Sequence, residues 1–282
     1  MILVTGATGN VGSEVVRHLV QQGERVRAFS RSGRVPEGAE GAEGFAGDLN
    51  SADSVTAALD GMSAVFLLPG YQEMPESLAA MRRSGVERVV LLSSSSIPVP
   101  GDRSNAVTRY MLESEDAVRA SGLPWTFLRP VGFASNALQW KDQLAAGDVV
   151  RAPFAGVRTA TIDPYDIGAV AALALRSAQH EGQAYALTGP EALLPADRVR
   201  ILAEVLDRKL HFEPQPDGEA RAEMTAQMPA EYVEAFFSFY VDGTLDESQV
   251  RPTVRELTGR EPRTFREWAQ SAGPQAFSPS GV

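Results

Sequence analysis

The hydrophobic pattern along the first 130 residues changes period repeatedly. ILVT (2–5) is a continuous apolar run too short for a helix, which predicts a buried strand. Val11, Val15, Val16, Leu19 and Val20 then recur at helical spacing until Gly23 closes the pattern. The same alternation continues. RVRAFS (25–30) and a short piece of GFAGDL (44–49) predict strands, and Ser51 is placed to N-cap a helix over 52–60 that Gly61 ends. AVFLLP (64–69), RVVLLSS (88–94) and PWTFLRP (124–130) predict further strands, separated by helices over LAAMRRSG (78–85) and roughly 105–121.

Strands alternating with helices at this spacing imply parallel strands joined by right-handed crossovers, with helices on both faces. The expected architecture is therefore α/β, a doubly wound parallel sheet. After Pro130 the regularity is lost. RTATIDPYDIGAVAALAL (158–175) predicts a strand and then a helix led by Asp166, and QAYALTG (183–189) predicts another strand. The tail is helix-rich, with a Pro/Asp/Gly loop at 214–218 and a low-order end at 274–282. There is no internal repeat and no low-complexity linker. The division expected is a sheet domain over 1–130 and a smaller, mostly helical lobe over 131–282, interwoven through segments near 158–190 that return to the sheet.

Composition narrows the functional classes. The 282 residues are 44% hydrophobic, enough for a sizeable core. A net charge of −10 disfavours phosphate backbones and anionic lipid, which removes nucleic acid and membrane surfaces from the expected partners. Cysteine is absent, and with it thiolate catalysis and cysteine-ligated zinc. His18, His180 and His211 are scattered without metal-ligand spacing, so no metal site is expected. The longest apolar stretch, AVAALAL (169–175), is too short to span a bilayer, and Met1 leads directly into a strand without a signal-peptide pattern. The expected location is cytoplasmic.

The candidate chemistry begins at VTGATGNVGSEV (4–15), where Gly6, Gly9 and Gly12 recur every third position. A strand–helix turn needs one glycine; a bound pyrophosphate needs several. Gly6 permits the tight turn, Gly9 the approach of phosphate, and Gly12 close packing of helix on strand. Free N–H groups and the partial positive charge of a helix start then face the anion. The loop as a whole, with Thr8, Asn10 and Val11 between the glycines, is the expected dinucleotide site. At the end of the second strand stands Ser30-Arg31-Ser32, with no acid until Glu37. A carboxylate there would grip a ribose 2′-hydroxyl, whereas Arg31 suits a 2′-phosphate, so NADP(H) is the expected cofactor.

TGATGNVG (5–12), SRS (30–32), GDL (47–49), LLSSSS (91–96), SGLPWTFLRP (121–130) and DPYDIGAVAALAL (163–175), with a weaker YALTGPE (185–191), resemble the NmrA-like branch of the atypical short-chain dehydrogenases/reductases. The resemblance implies a Rossmann-like fold. That branch holds NADPH-dependent quinone reductases, isoflavone-type reductases and NADP-sensing regulators without catalytic activity. By position, Asp48 and Leu49 correspond to the adenine contact. Leu67, Leu68 and Pro69 correspond to the segment along the dinucleotide. Ser93 to Ser95 correspond to the nicotinamide side, with Pro130 to Phe133 flanking the ring.

The wider superfamily uses a serine, a tyrosine and a lysine four residues after it, the lysine lowering the phenol pKa. Here Tyr110 follows Ser96 at a plausible interval, but the fourth residue after it is Ser114. The two lysines of the chain, Lys141 and Lys209, do not fit the role. Reduction by hydride still needs only a hydrogen bond to the developing oxyanion, which Tyr110, Ser94 or Ser95 can supply. Phe133, Asn136 and Trp140 are expected to line a substrate cleft, and EYVEAFFSFY (231–240) to close it over a flat, apolar, aromatic substrate. The leading expectation is an NADPH-dependent oxidoreductase acting on a quinone, enone or carbonyl. A non-enzymatic NADP(H) sensor working through a protein partner, and an isomerase that retains its cofactor, stand as alternatives.

Overall fold

Short β-branched runs buried on both faces form the spine of the molecule, a seven-stranded parallel sheet. The computed structural model describes residues 1–97 and 103–277. The strands are β1 (Ile2–Thr5), β2 (Val26–Ser30), β3 (Glu43–Ala46), β4 (Ala64–Leu67), β5 (Arg88–Leu92), β6 (Trp125–Pro130) and, after one outlying strand β7 (Val149–Ala152), β8 (Gln183–Leu187). Their order is β3-β2-β1-β4-β5-β6-β8, all neighbours parallel. The winding reverses between β1 and β4, which opens a crevice at the C-terminal edge of those two strands.

Alternate residues of each strand feed two cores. Ile2 and Val4 face a core shared with α1 (Asn10–Gln21) and, further along the chain, Pro164–Arg176. Leu3 faces the opposite core, shared with α2 (Ala52–Ala57), α3 (Met74–Arg83) and α4 (Ala106–Ala120). The period-2 pleat thus explains why both neighbours in sequence are apolar.

The second lobe opens with a 3-10 segment (134–140) and α5 (Lys141–Ala146), and continues through α6 (Pro164–Arg176) and α7 (Pro195–Leu206). It includes β9 (His211–Pro214), which pairs with β7 in a separate two-stranded parallel sheet. Helices α8 (Asp217–Gln227), α9 (Ala230–Tyr240), α10 (Thr253–Thr258) and α11 (Phe265–Ala272) complete it. The chain returns to the main sheet as β8, against the outer edge of β6.

Several local details differ from the pattern reading. Helix α6 is capped by Asp163, whose side chain accepts the Tyr165 amide, with Pro164 at its first position; Asp166 lies inside the first turn. The stretch before it makes isolated bridges, Phe133 with Ile162 and Thr159 with Leu193, rather than a strand. The loop at 214–218 is shortened because α8 begins at Asp217. Of 274–282, residues 274–277 form a 3-10 turn and the rest lies outside the described residues.

One buried charge fastens α4 to the sheet. The Glu115 side chain is wholly buried and accepts Arg129 Nε at 2.8 Å and Nη2 at 2.7 Å, Arg119 Nη2 at 2.8 Å and Ser93 Oγ at 2.7 Å. Arg119 in turn lies over the Trp125 and Phe127 rings. Replacing Glu115 by Ala strands the Arg129 guanidinium, and with both arginines partly exposed the expected loss is about 2–3 kcal/mol. Urea unfolding measures it; a midpoint unchanged from wild type contradicts the pairing.

Candidate active site

The start of α1 is built to face an anion. Gly6 adopts φ +61°, which only glycine holds without strain, and the Gly9 amide donates to its carbonyl at 2.9 Å. A Cβ on Gly12 would collide with that same Gly6 carbonyl, so the missing side chain is what lets α1 sit against the β1 loop. A Cβ on Gly9 meets nothing nearer than the Gly6 oxygen at 3.3 Å, leaving that side of the loop open to a ligand. No side chain caps the helix, and no acid stands in its first turn. The amides of Asn10, Val11 and Gly12 have no intrahelical acceptor by helix geometry. Thr8, Gly9 and Asn10 are exposed, whereas the Val11 side chain is in the core, so Val11 can offer only its backbone. Uncapped amides, an open glycine face and a first helical turn without an acid fit a dinucleotide pyrophosphate.

Thr5 holds the crevice open at the right place. Its buried hydroxyl donates to the Phe66 carbonyl at 2.9 Å and accepts the Leu68 amide at 3.1 Å, locking the end of β4 beside the glycine loop. The Leu68 side chain packs over Gly6. Leu67 points the other way, wholly buried in the second core, so it lines no ligand surface with its side chain. Pro69 is half-buried at the crevice rim.

At the end of β2, the Ser30 carbonyl accepts the amides of both Gly33 and Gly47, which brings the Arg31 loop beside Asp48 and Leu49. Arg31 and Arg34 are exposed, and their side chains make no hydrogen bond or ion pair with described residues. Asp48 is exposed and accepts the Asn50 amide; Leu49 is half-buried against the second core.

Tyr110 leans over the same segment. Its ring lies against Gly70, where a Cβ would overlap it, and its hydroxyl donates to the Pro69 carbonyl at 3.0 Å. Burial, followed by nearby Tyr232, pushes its phenol pKa up. Ser114, standing where a lysine would be, spends its hydroxyl on the Tyr110 carbonyl at 3.0 Å. Nothing among the described residues at that spot lowers the phenol pKa. The Ser93 hydroxyl is committed to Glu115. Ser94 accepts the Ser96 amide at 3.1 Å, and its own proton has no acceptor among the described residues.

Ser95 leads elsewhere. Its amide donates to the Pro130 carbonyl at 2.9 Å, and its hydroxyl donates to Glu247 Oε1 at 2.7 Å. Glu247 is 5% exposed and takes a second bond, from the Tyr240 hydroxyl to Oε2, at 3.0 Å. Desolvation raises the Glu247 pKa from its ordinary value, and burial with Glu247 beside it raises that of Tyr240. Glu247 and Tyr240 line a cleft of about 540 Å³ that also touches Gly132, Asn136 and Trp140. It opens beyond the C-terminal ends of β5 and β6, on the sheet edge that carries the glycine loop. Helix α9 supplies Phe236 and Tyr240 to its wall. Phe133 is not in the wall; it packs against the first core. Trp140 is nearly buried beneath the surface of the cleft. Phe154, in the wall at φ +57°, is held in a backbone conformation unfavourable for an aromatic residue by contacts with Phe237 and Tyr240. Glu247 lies in an irregular segment, so no periodicity marks it in the sequence. No cluster suited to a metal ion exists among the described residues, and none of their helices is long and apolar enough to cross a membrane.

Residues 6–178 match a family model described as NAD(P)H-binding. Over 283 aligned residues the chain is 40% identical to a (4-alkanoyl-5-oxo-2,5-dihydrofuran-3-yl)methyl phosphate reductase of Streptomyces griseus, covering 99% of this chain and all of that one. It is 33% identical to an NAD(P)H azoreductase of Xenophilus azovorans, covering 96% and 97%. Its fold is that of an NADPH-dependent quinone oxidoreductase of Escherichia coli solved with NADPH, with a TM-score of 0.76, 21% identity and coverage of 96% and 99%. Two of its relatives are thus named as reductases, one of them using NAD(P)H, and the chain with the uncapped helix and open glycine loop belongs to the NAD(P)H-binding family.

Proposed function

We propose that the chain is an NADPH-dependent reductase of a conjugated carbonyl, enone or quinone on a small molecule held in the cleft. The observation that carries the reading is the Ser95–Glu247–Tyr240 chain. It joins the loop after β5 to the cleft wall, on the same sheet edge as the dinucleotide loop. The bound dinucleotide supplies the hydride. The protein must then supply one proton to the oxygen or carbon that takes up the negative charge. Glu247 suits that task, because burial raises its pKa and makes it hold a proton more readily than an exposed carboxylate does. Ser95 and Tyr240 can each accept as well as donate, so the acid keeps partners in either protonation state. After transfer, the carboxylate recovers its proton from water at the cleft mouth. The substrate thereby gains one hydride and one proton.

The S. griseus relative, whose named substrate carries an unsaturated ring conjugated to a carbonyl, supports this substrate class. The engaged Tyr110 hydroxyl and the serine at position 114 favour the alternative, a sensor that binds NADP(H) without turnover. Loss of nicotinamide absorbance equimolar with reduced product, across enones and quinones, supports the reductase; binding of cofactor with no turnover on any of them supports the sensor.

Arg31, exposed and unpaired, favours the 2′-phosphate of NADPH. Arg31→Ala should weaken NADPH about tenfold or more with little effect on NADH, as expected for one lost charge-assisted contact. Equal loss for both coenzymes contradicts the assignment.

Because the acid form of Glu247 is the active one, kcat should fall as pH rises through its raised pKa. Glu247→Gln should lower kcat by about 10²-fold and abolish that alkaline limb, and Tyr240→Phe should shift the limb while leaving KM for NADPH unchanged. A pH profile identical in Glu247→Gln and wild type would remove Glu247 from the chemistry.

A further inference from the structure

Several other arginines of this chain reach carboxylates. Arg129 and Arg119 meet Glu115, Arg151 meets Glu219, Arg208 meets Asp148 and Arg176 meets Glu24. Arg198 does not. Its Nε is sealed from solvent without a partner, and no described carboxylate comes within 4.0 Å of its guanidinium. The guanidinium lies 5.5 Å from the centre of the buried Trp140 ring, which supports it. Arg198 belongs to the wall of the cleft just described.

Sequestering an unpaired guanidinium is unfavourable, and proteins tolerate it where a ligand brings the missing anion. Glu247 acts on Arg198 from beyond ion-pair distance, and no nearby acid pairs with it. Glu247 is held by Ser95 and Tyr240, and Glu223 accepts Gln215 Nε2. The other cation of the wall, Arg151, is already paired with Glu219. Two further wall groups, Ser135 Oγ and Thr161 Oγ1, are also buried without hydrogen-bond partners. A guanidinium with two hydroxyls draws its donors from three separate side chains around one positive charge, which suits a dianion with acceptors out of one plane better than a planar monoanion. They match the three terminal oxygens of a phosphate monoester.

We infer that Arg198, with Ser135 and Thr161, forms a subsite for a phosphate monoester carried by the substrate, so that the cleft takes a phosphorylated small molecule with an apolar body. This rests on the reductase reading only for the word substrate; the site itself is a matter of binding.

The test is calorimetric titration of the full chain saturated with NADP+, so that the dinucleotide's own phosphate site is filled. Phenyl phosphate, benzoate and phenol are the probes. Phenyl phosphate should bind at least about tenfold more tightly than either of the others. Arg198→Met should reduce phenyl phosphate to the level of phenol while NADP+ affinity is kept, and Arg198→Lys should restore part of the difference. Should Arg198→Met fail to fold, the Ser135→Ala/Thr161→Val double variant keeps the charge and should lose several-fold for phenyl phosphate alone. Equal binding of phenyl phosphate and phenol by wild type, equal binding of benzoate, or a preference that survives Arg198→Met overturns the subsite. Turnover of neutral enones without any phosphate preference would preserve the reductase and remove the subsite. Phosphate preference in a chain that reduces nothing would do the reverse.

Discussion

The arrangement depends on one contact, the seating of α1 on the turn after β1 at a point where Gly12 has no side chain. That contact fixes the uncapped amides of the first helical turn at the edge of the sheet. Parallel pairing then determines the rest. Every strand of a parallel sheet ends on the same edge, so the loops after β1, β4, β5 and β6 gather there whatever their sequence separation. The Thr5 bridge to β4 sets the crevice beside the glycine loop, and Ser95 carries the same edge across to the second lobe.

The lobe contributes polar chemistry inside an apolar wall. Two kinds of buried charge occur in this chain, and their surroundings separate their roles. Glu115 is saturated by two arginines and a serine, so it binds α4 to the sheet and has nothing left to offer a ligand. Glu247 has only neutral partners, the Ser95 and Tyr240 hydroxyls and the Gly132 backbone, and a raised pKa, and no described group hydrogen-bonds the Arg198 guanidinium. These two face one cleft, where burial disfavours the charged form of each and the opposite charge of the other offsets part of that penalty. An anion drawn to Arg198 would weaken that compensation for Glu247 and hold its proton in place. On the proposed reading, binding of the substrate and readiness of the acid act in the same direction.

Much of the sheet was legible because buried parallel strands leave short, continuous apolar runs between helical periods. The spacing of Gly6, Gly9 and Gly12 was legible because backbone approach to phosphate restricts side chains directly. The second lobe was not. Strands β7 and β9 pair across some sixty residues, and neither His211–Pro214 nor Val149–Ala152 has the apolar density of a core strand. Glu247 belongs to a segment without regular structure, and Arg198 is one arginine among many until its lack of a partner is seen. Leu67 and Phe133 illustrate the converse. Each lies beside the expected site in sequence, yet the pleat and the local bridge to Ile162 turn their side chains into the cores. Tyr110 does reach the loop after β4, but its hydroxyl is engaged with the Pro69 carbonyl rather than poised by a base.

The most direct test is calorimetric titration of NADPH into wild type and Gly9→Ala. The folded loop has φ −84° at Gly9 and space for a methyl group apart from the Gly6 oxygen, so the variant should melt close to wild type. The methyl group would occupy the open face where phosphate approaches. One-to-one binding by wild type, weakened about tenfold or more in Gly9→Ala without loss of fold, is the predicted result. Equal affinity in the two proteins, or no heat from wild type with either nicotinamide coenzyme, would contradict it.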